Sequence, residues 1–285
     1  MPNISGFFLI DKESSYSSND IDCLLKRKIN VRKAGHLGTL DPFASGLLVI
    51  GINDATKLMT LLDDSKKTYI ATLKLGKETD TLDRDGKVIA EKEISELNEA
   101  KIKDCLSQFL GKQKQTVPHY SAKHINGVRS YLLARENKDF KAPEIDVEIT
   151  KIQLLSFTED TIVFKAEVSK GTYIRSLGCD IAYRLNTIGY LEELRRTDVS
   201  SLSVDKAKKI SDTTISDMIS IKDMFKDIKV HDCNEYETKK VRNGCPLSLP
   251  YSDEYIFTES EGNITALYKK QEDGKYCSYR GFAHD

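Results

Sequence analysis

No two of the six cysteines are spaced as CxxC, and the five histidines are scattered without metal-ligand spacing. These absences argue against a redox dithiol or a zinc cluster. The cysteines, at 23, 105, 179, 233, 245 and 277, read instead as reduced thiols of a cytosolic protein, with Cys23, Cys105 and Cys179 inside helical patterns. No apolar run approaches the length that crosses a bilayer. The N-terminus lacks a basic region followed by an apolar stretch, so no signal peptide is expected. There is no Walker loop and no GxGxxG after a strand, so no nucleotide cofactor is expected. Excess charge is missing as well. At a net charge of −1, any case for nucleic acid must rest on local patches.

What is present is enough apolar content, 39%, for a real core in 285 residues, arranged as one large domain or two unequal ones. Charge is segregated along the chain. Lys101–Lys141 carries nine basic and three acidic residues, a balance of +6. Tyr251–Asp285 carries four basic and seven acidic residues, a balance of −3.

Gly6–Lys12 reads as a short buried strand. Ser17-Ser18-Asn19-Asp20 supplies N-cap chemistry for a helix with Ile21, Leu24 and Leu25 on its buried stripe. Thr68–Leu75 alternates as a half-buried strand, with Tyr69, Ala71, Leu73 and Leu75 on one face. Ile102, Cys105, Leu106, Phe109 and Leu110 mark a helix closed by Gly111. Residues 112–142 form a basic excursion with Tyr120, Tyr131, His119 and His124 and little periodicity before Ser130. Ile145–Leu155 and Thr161–Ser169 predict a hairpin about Glu159-Asp160. A helix beginning near Ile174 buries Ile174, Leu177, Ile181, Ala182 and Leu185, with Arg175 off that stripe. Leu194-Arg195-Arg196 reads as the end of a second short helix. One or two peripheral helices are expected over Val204–Ile228, and short strands from His231 onward.

The most informative stretch is Gly35-His36-Leu37-Gly38-Thr39-Leu40-Asp41-Pro42-Phe43-Ala44-Ser45-Gly46, followed by the apolar run Leu47–Ile50. Asp41 precedes a proline, which turns it away from helix. A carboxylate against a core strand either caps a turn or has a chemical role. Tyr69 is either core or a flat face for a base, and Arg175 either a surface cation or the partner that keeps a buried carboxylate ionised. The basic excursion is either a solvated loop or a grip for a polyanion, with Tyr and His for stacking on bases.

The Gly35–Ile50 segment closely resembles the signature of the bacterial TruB family, the tRNA pseudouridine-55 synthases. The resemblance continues through Ser17–Asp20, Ala55-Thr56-Lys57, Lys67-Thr68-Tyr69, and Gly76 with Thr79-Asp80-Thr81, Asp83 and Gly86. It extends over Gln115, Pro118, Tyr120–Lys123, Lys170-Gly171-Thr172-Tyr173-Ile174-Arg175 and Leu194-Arg195-Arg196, so ordered matches span residues 6 to about 200. The resemblance implies that Asp41 is the catalytic nucleophile, that Tyr69 stacks on the target base and moves the C5 proton, and that Arg175 pairs with Asp41. By the same resemblance Tyr173 and Leu194 contact the flipped nucleotide. His36 fills the space the base leaves in the T-loop, and Lys12 matches a lysine of the family's first motif. It further implies isomerisation of uridine 55 in tRNA without metal, nucleotide or redox cofactor. Two departures stand out: Glu13 follows Lys12 where the family usually has proline, and Val117-Pro118-His119 replaces Pro-Pro-Met or similar.

The expected architecture is a mixed α/β pseudouridine synthase fold over residues 1–230, with an RNA-binding insertion at about 112–142. A small β-rich, PUA-like unit is expected over 231–285. The protein is expected to be cytoplasmic and to take tRNA as its partner. No protein partner is indicated, and a monomer is the default. The rival readings are a pseudouridine synthase for another RNA target, an RNA-folding module without essential catalysis, and a hydrolase using Asp41 to activate water.

Overall fold

A computed structural model describes residues 4–62, 66–121, 124–125, 128–129 and 142–282. In chain order, β1 (Gly6–Lys12) leads to α1 (Ser18–Ile29), β2 (Ala34–Leu37), β3 (Ser45–Ile52), a short α2 (Met59–Leu62) and β4 (Lys67–Leu75). The hairpin of β5 (Lys77–Thr79) and β6 (Val88–Glu91) precedes α3 (Glu99–Ser107), β7 (Gly111–Thr116) and the two-residue strands β8 (His124–Ile125) and β9 (Val128–Arg129). Next come β10 (Glu144–Phe157), β11 (Thr161–Val168), α4 (Ile174–Arg184), β12 (Gly189–Val199), β13 (Leu202–Ser203), β14 (Ile219–Ser220) and α5 (Ile221–Met224). The chain ends with β15 (Val230–Asp232), α6 (Glu235–Arg242), β16 (Tyr255–Ser260), β17 (Asn263–Lys270) and β18 (Tyr276–Gly281).

One mixed sheet of ten strands carries the larger part of the molecule, in the order β14-β1-β3-β12-β4-β11-β10-β7, with β2 on β3 and β13 on β12. Strand β3 is buried along nearly its whole length, as its continuous apolar run demands. Strand β4 alternates: Lys67, Tyr69, Ala71, Leu73 and Leu75 are buried and the residues between them are half-buried. Helices α3 and α4 share one core cluster through Ile102, Leu106, Leu177 and Ile181, with α4 against β12 and β4 and α3 against β10. Helix α1 begins with a capping box between Ser17 and Asp20 and ends at Asn30 in the left-handed conformation.

A separate four-stranded sheet, β15-β16-β17-β18, forms the C-terminal part. It packs on the first through the Phe7–Phe225 and Phe225–Phe257 ring pairs, at 5.7 and 5.9 Å. The mixed α/β expectation is met. The tail also carries α6, which the turn-rich composition concealed. Among the described residues no helix is long and apolar enough to cross a membrane.

Three local readings are corrected. Leu194–Arg196 lies in the central strand β12, not at a helix end. Register shifts at Leu191/Glu193 and Arg196/Asp198 space the buried residues Leu191, Leu194, Arg196 and Val199 by three, two and three, which imitates helical spacing. The start of the basic excursion is the edge strand β7, paired with β10. Its short alternation of charged and amide side chains gives little hydrophobic signal. Residues 204–228 hold turns of 3-10 helix and the four-residue α5 rather than longer helices. The remaining aromatic of the excursion, Tyr131, lies outside the described residues, as does the side chain of His124.

Gly46 sits where β3 meets β12 in parallel, opposite Arg196. Its φ is +105°, and a Cβ there would lie 2.2 Å from the Arg196 carbonyl oxygen. Gly46→Ala is therefore expected to cost about 3 kcal/mol or more, combining backbone strain with overpacking against a fixed strand. Urea unfolding measures it, and a change within about 0.5 kcal/mol would show that the two strands are not held this closely.

Candidate active site

The Asp41 loop is fastened at several points. Ser18 at the start of α1 donates its hydroxyl to the Leu40 carbonyl (3.0 Å) and accepts from the Leu40 amide (2.9 Å). Lys12, fully buried, donates to the carbonyls of Tyr16 (2.7 Å), Glu13 (3.1 Å) and Pro42 (3.3 Å). Burial lowers the Lys12 pKa to about 8, while the nearby Asp41 carboxylate opposes that shift. Glu13 needs only its backbone carbonyl for this brace, so the missing proline leaves the lysine's anchoring intact.

Arg175, in the first turn of α4, reaches the loop from the other side. Its Nε lies 2.9 Å from Asp41 Oδ2, and its Nη2 donates to Oδ1 at 3.4 Å. Its Nη1 donates to the Thr81 carbonyl at 2.7 Å, and Nη2 to the Tyr120 carbonyl at 2.8 Å. Nη1 also lies 3.4 Å from Asp83 Oδ2. Arg175 is only 4% exposed. The sequence correctly places it off the core stripe, but the Thr79–Gly86 loop and Tyr120 cover that second face.

Asp83 is the residue that periodicity misses. It is buried, accepts from Thr81 Oγ1 (2.6 Å) and the Asp85 amide (3.1 Å), and shares the guanidinium with Asp41. Burial raises its pKa, and Thr81 and Arg175 oppose the shift. Its loop looks merely polar in sequence; the sign of a built structure was the repeated Thr/Asp turn chemistry closed by Gly86.

The cleft beside this pair has a volume of about 310 Å³. Asp41, Tyr69, Tyr173, Arg175 and Leu194 line it, together with Lys67 and Arg196. Tyr69 projects from β4 opposite Arg196 of β12, and a bulge directly after Arg196 separates the two strands' registers there. The buried Gln115 clamps the entry to α4, accepting from the Tyr173 amide (2.8 Å) and donating to the Tyr173 carbonyl (3.0 Å). Burial raises the Tyr173 hydroxyl pKa. Arg196 is completely buried and donates Nε to the Leu47 carbonyl at 2.7 Å. Beside the Arg175–Asp41 pair, Lys67 and Arg196 bring two further buried basic side chains to the cleft.

Two sequence candidates stand outside the cleft wall. Lys12 lies behind the loop. His36, on β2, holds Asp22 at 2.7 Å through Nδ1 and Thr39 Oγ1 at 3.2 Å through Nε2, half-exposed beside the same loop. Five candidates therefore meet in one cleft and two flank it.

The fold is that of pseudouridine synthases. A structure described as "Structure of H/ACA RNP bound to a substrate RNA containing 2'-deoxyuridine" superposes with a TM-score of 0.70 at 19% identity, covering 98% of this chain and 85% of the other. A Cbf5-Nop10-Gar1 complex gives 0.69 at 19% identity, covering 98% and 84%. Residues 26–174 match the model of the TruB family pseudouridylate synthase N-terminal domain. The tRNA pseudouridine synthase B of Acholeplasma laidlawii is 38% identical over 93% of this chain and 95% of its own length. That of Mycoplasma mobile is 44% identical over 70% of each chain, and that of Aquifex aeolicus 39% identical over 85% and 86%. The chain belongs to the TruB family of pseudouridylate synthases.

Proposed function

We propose that the protein isomerises uridine 55 in the T-loop of tRNA to pseudouridine, with Asp41 as nucleophile. The observation that carries this reading is the Asp41–Arg175 fork at the wall of a cleft also lined by Tyr69 and Tyr173. The family supports the chemistry, and relatives named tRNA pseudouridine synthase B support the substrate.

Arg175 pairs with the Asp41 carboxylate through a charge-assisted fork and fixes its direction. The Asp41 carboxylate attacks the uridine and is released again within the cycle. The C1′–N1 bond breaks, the base turns, a C1′–C5 bond replaces it, and the proton lost from C5 is matched by one taken up at N1. The product is an isomer, so nothing is consumed. Tyr69 supplies a flat face for the base and a hydroxyl for the C5 proton. Tyr173 and Leu194 flank the nucleotide. The cleft is at the small end of ligand sites, which suits a single nucleotide rather than a stacked loop. The uridine must therefore be flipped out of the T-loop. His36 on β2, held by Asp22 and Thr39, fills the space the base leaves in the T-loop in this reading. Lys12 braces the Asp41 loop from behind. The basic side chains of Lys67 and Arg196 in the cleft favour the nucleotide's phosphate.

The test is pseudouridine mapping on an unmodified tRNA transcript incubated with the purified protein. Modification at position 55 is expected. Modification at another position would keep the chemistry and overturn the substrate. No modification by a protein that binds the transcript would favour an RNA-folding module instead.

A further inference from the structure

His231, Cys233 and Glu237 bring ligand chemistry together in the C-terminal sheet, away from the cleft. One ligand atom of each lies within 4.8 Å of the others. His231 is in β15, Cys233 directly follows it, and Glu237 sits in the first turn of α6. The trio therefore joins a strand to the helix after it. The imidazole is oriented from behind: Nδ1 is 3.2 Å from the Tyr251 hydroxyl, and the two rings meet edge to face at 5.8 Å. His231 Nε2 is buried and makes no hydrogen bond, although Glu237 Oε2 lies only 3.2 Å away. With Nδ1 engaged by the Tyr251 hydroxyl, Nε2 is the ring nitrogen that faces Glu237 and Cys233 without a hydrogen bond of its own.

We infer that His231, Cys233 and Glu237 form a site for one zinc-class divalent cation, with water as the fourth ligand. Imidazole, thiolate and carboxylate together suit zinc among the common ions. Ligand distances of about 2.0–2.3 Å require the three atoms to close by about an ångström, which side-chain rotation supplies. Binding exchanges the Cys233 thiol proton for the metal, and that proton passes to solvent. Tyr251 acts as a positioning residue on the far nitrogen of the ligand histidine. The consequence is a clip between β15 and α6, at the point where the C-terminal sheet begins.

Cobalt(II) titration of the full-length protein after chelator treatment tests the site. One equivalent is expected to bind with tetrahedral visible bands and a thiolate-to-cobalt charge-transfer band. Cys233→Ser should abolish the charge-transfer band, while Cys245→Ser and Cys277→Ser leave it unchanged. Tyr251→Phe should weaken cobalt binding about 10-fold. A second readout needs no variant: bound zinc should protect Cys233 of the wild type from alkylation, mapped by peptide mass spectrometry. Absence of saturable cobalt binding, a charge-transfer band that survives in Cys233→Ser, or equal alkylation of Cys233 with and without zinc would each overturn the site.

Discussion

Asp41→Asn is expected to lower the single-turnover rate of pseudouridine formation by at least about 10⁴-fold, a barrier increase of about 5 kcal/mol. Asparagine has nearly the same shape, and the residue lies on a loop fastened independently by Ser18 and Lys12. The fold and tRNA binding should therefore survive. What changes is the charge. An amide is no nucleophile, and its NH₂ turns a donor toward the guanidinium that formerly met two acceptors. Single-turnover kinetics at saturating enzyme, beside a binding measurement on the same transcript, separates the two effects. A rate within about 10-fold of the wild type would remove Asp41 from the nucleophile's role, whatever the binding showed.

Much of the fold was legible because local chemistry and burial agree. The apolar run of β3, the alternation of β4 and the N-cap residues of α1 are each found as expected. Strand β12 was misread because its two register shifts break the period of two that identifies a strand. A buried arginine, Arg196, also sits in its middle, and no hydropathy pattern marks that position as interior. Asp41, Tyr69, Tyr173, Arg175 and Leu194 were nameable through the resemblance, yet their meeting in one cleft depends on contacts between distant segments. Arg175 reaches 134 positions back to Asp41. Asp83 and Gln115 were matched by the resemblance but given no place in the site, and the His231–Cys233–Glu237 cluster was not singled out, for the same reason. Each is an ordinary polar residue until tertiary structure gives it a partner.

Arg175→Lys should reduce the single-turnover rate by about 10²–10³-fold, and the size of the loss follows from geometry. The guanidinium meets two carboxylates and two backbone carbonyls with three nitrogens fixed in one plane. A lysine ammonium offers three protons from one point, so it cannot serve Asp41, Asp83, Thr81 and Tyr120 together. If it follows Asp41, the Thr81 and Tyr120 carbonyls lose their donor, at about 1–3 kcal/mol for each one left buried and unsatisfied. If it follows the carbonyls, Asp41 loses the fork that sets its direction. Either way the nucleophile is misplaced while its charge remains, so the rate should fall less than in Asp41→Asn. Asp83→Asn provides the companion measurement. It keeps both arginine–carbonyl bonds and the Asp41 fork but removes the second carboxylate, so its loss should be smaller than that of Arg175→Lys. Equal losses in the two variants would mean that Asp83, rather than the planar fork on Asp41, is what the arginine chiefly serves. A near-normal rate for Arg175→Lys would show that the pair seen here does not orient the reacting carboxylate.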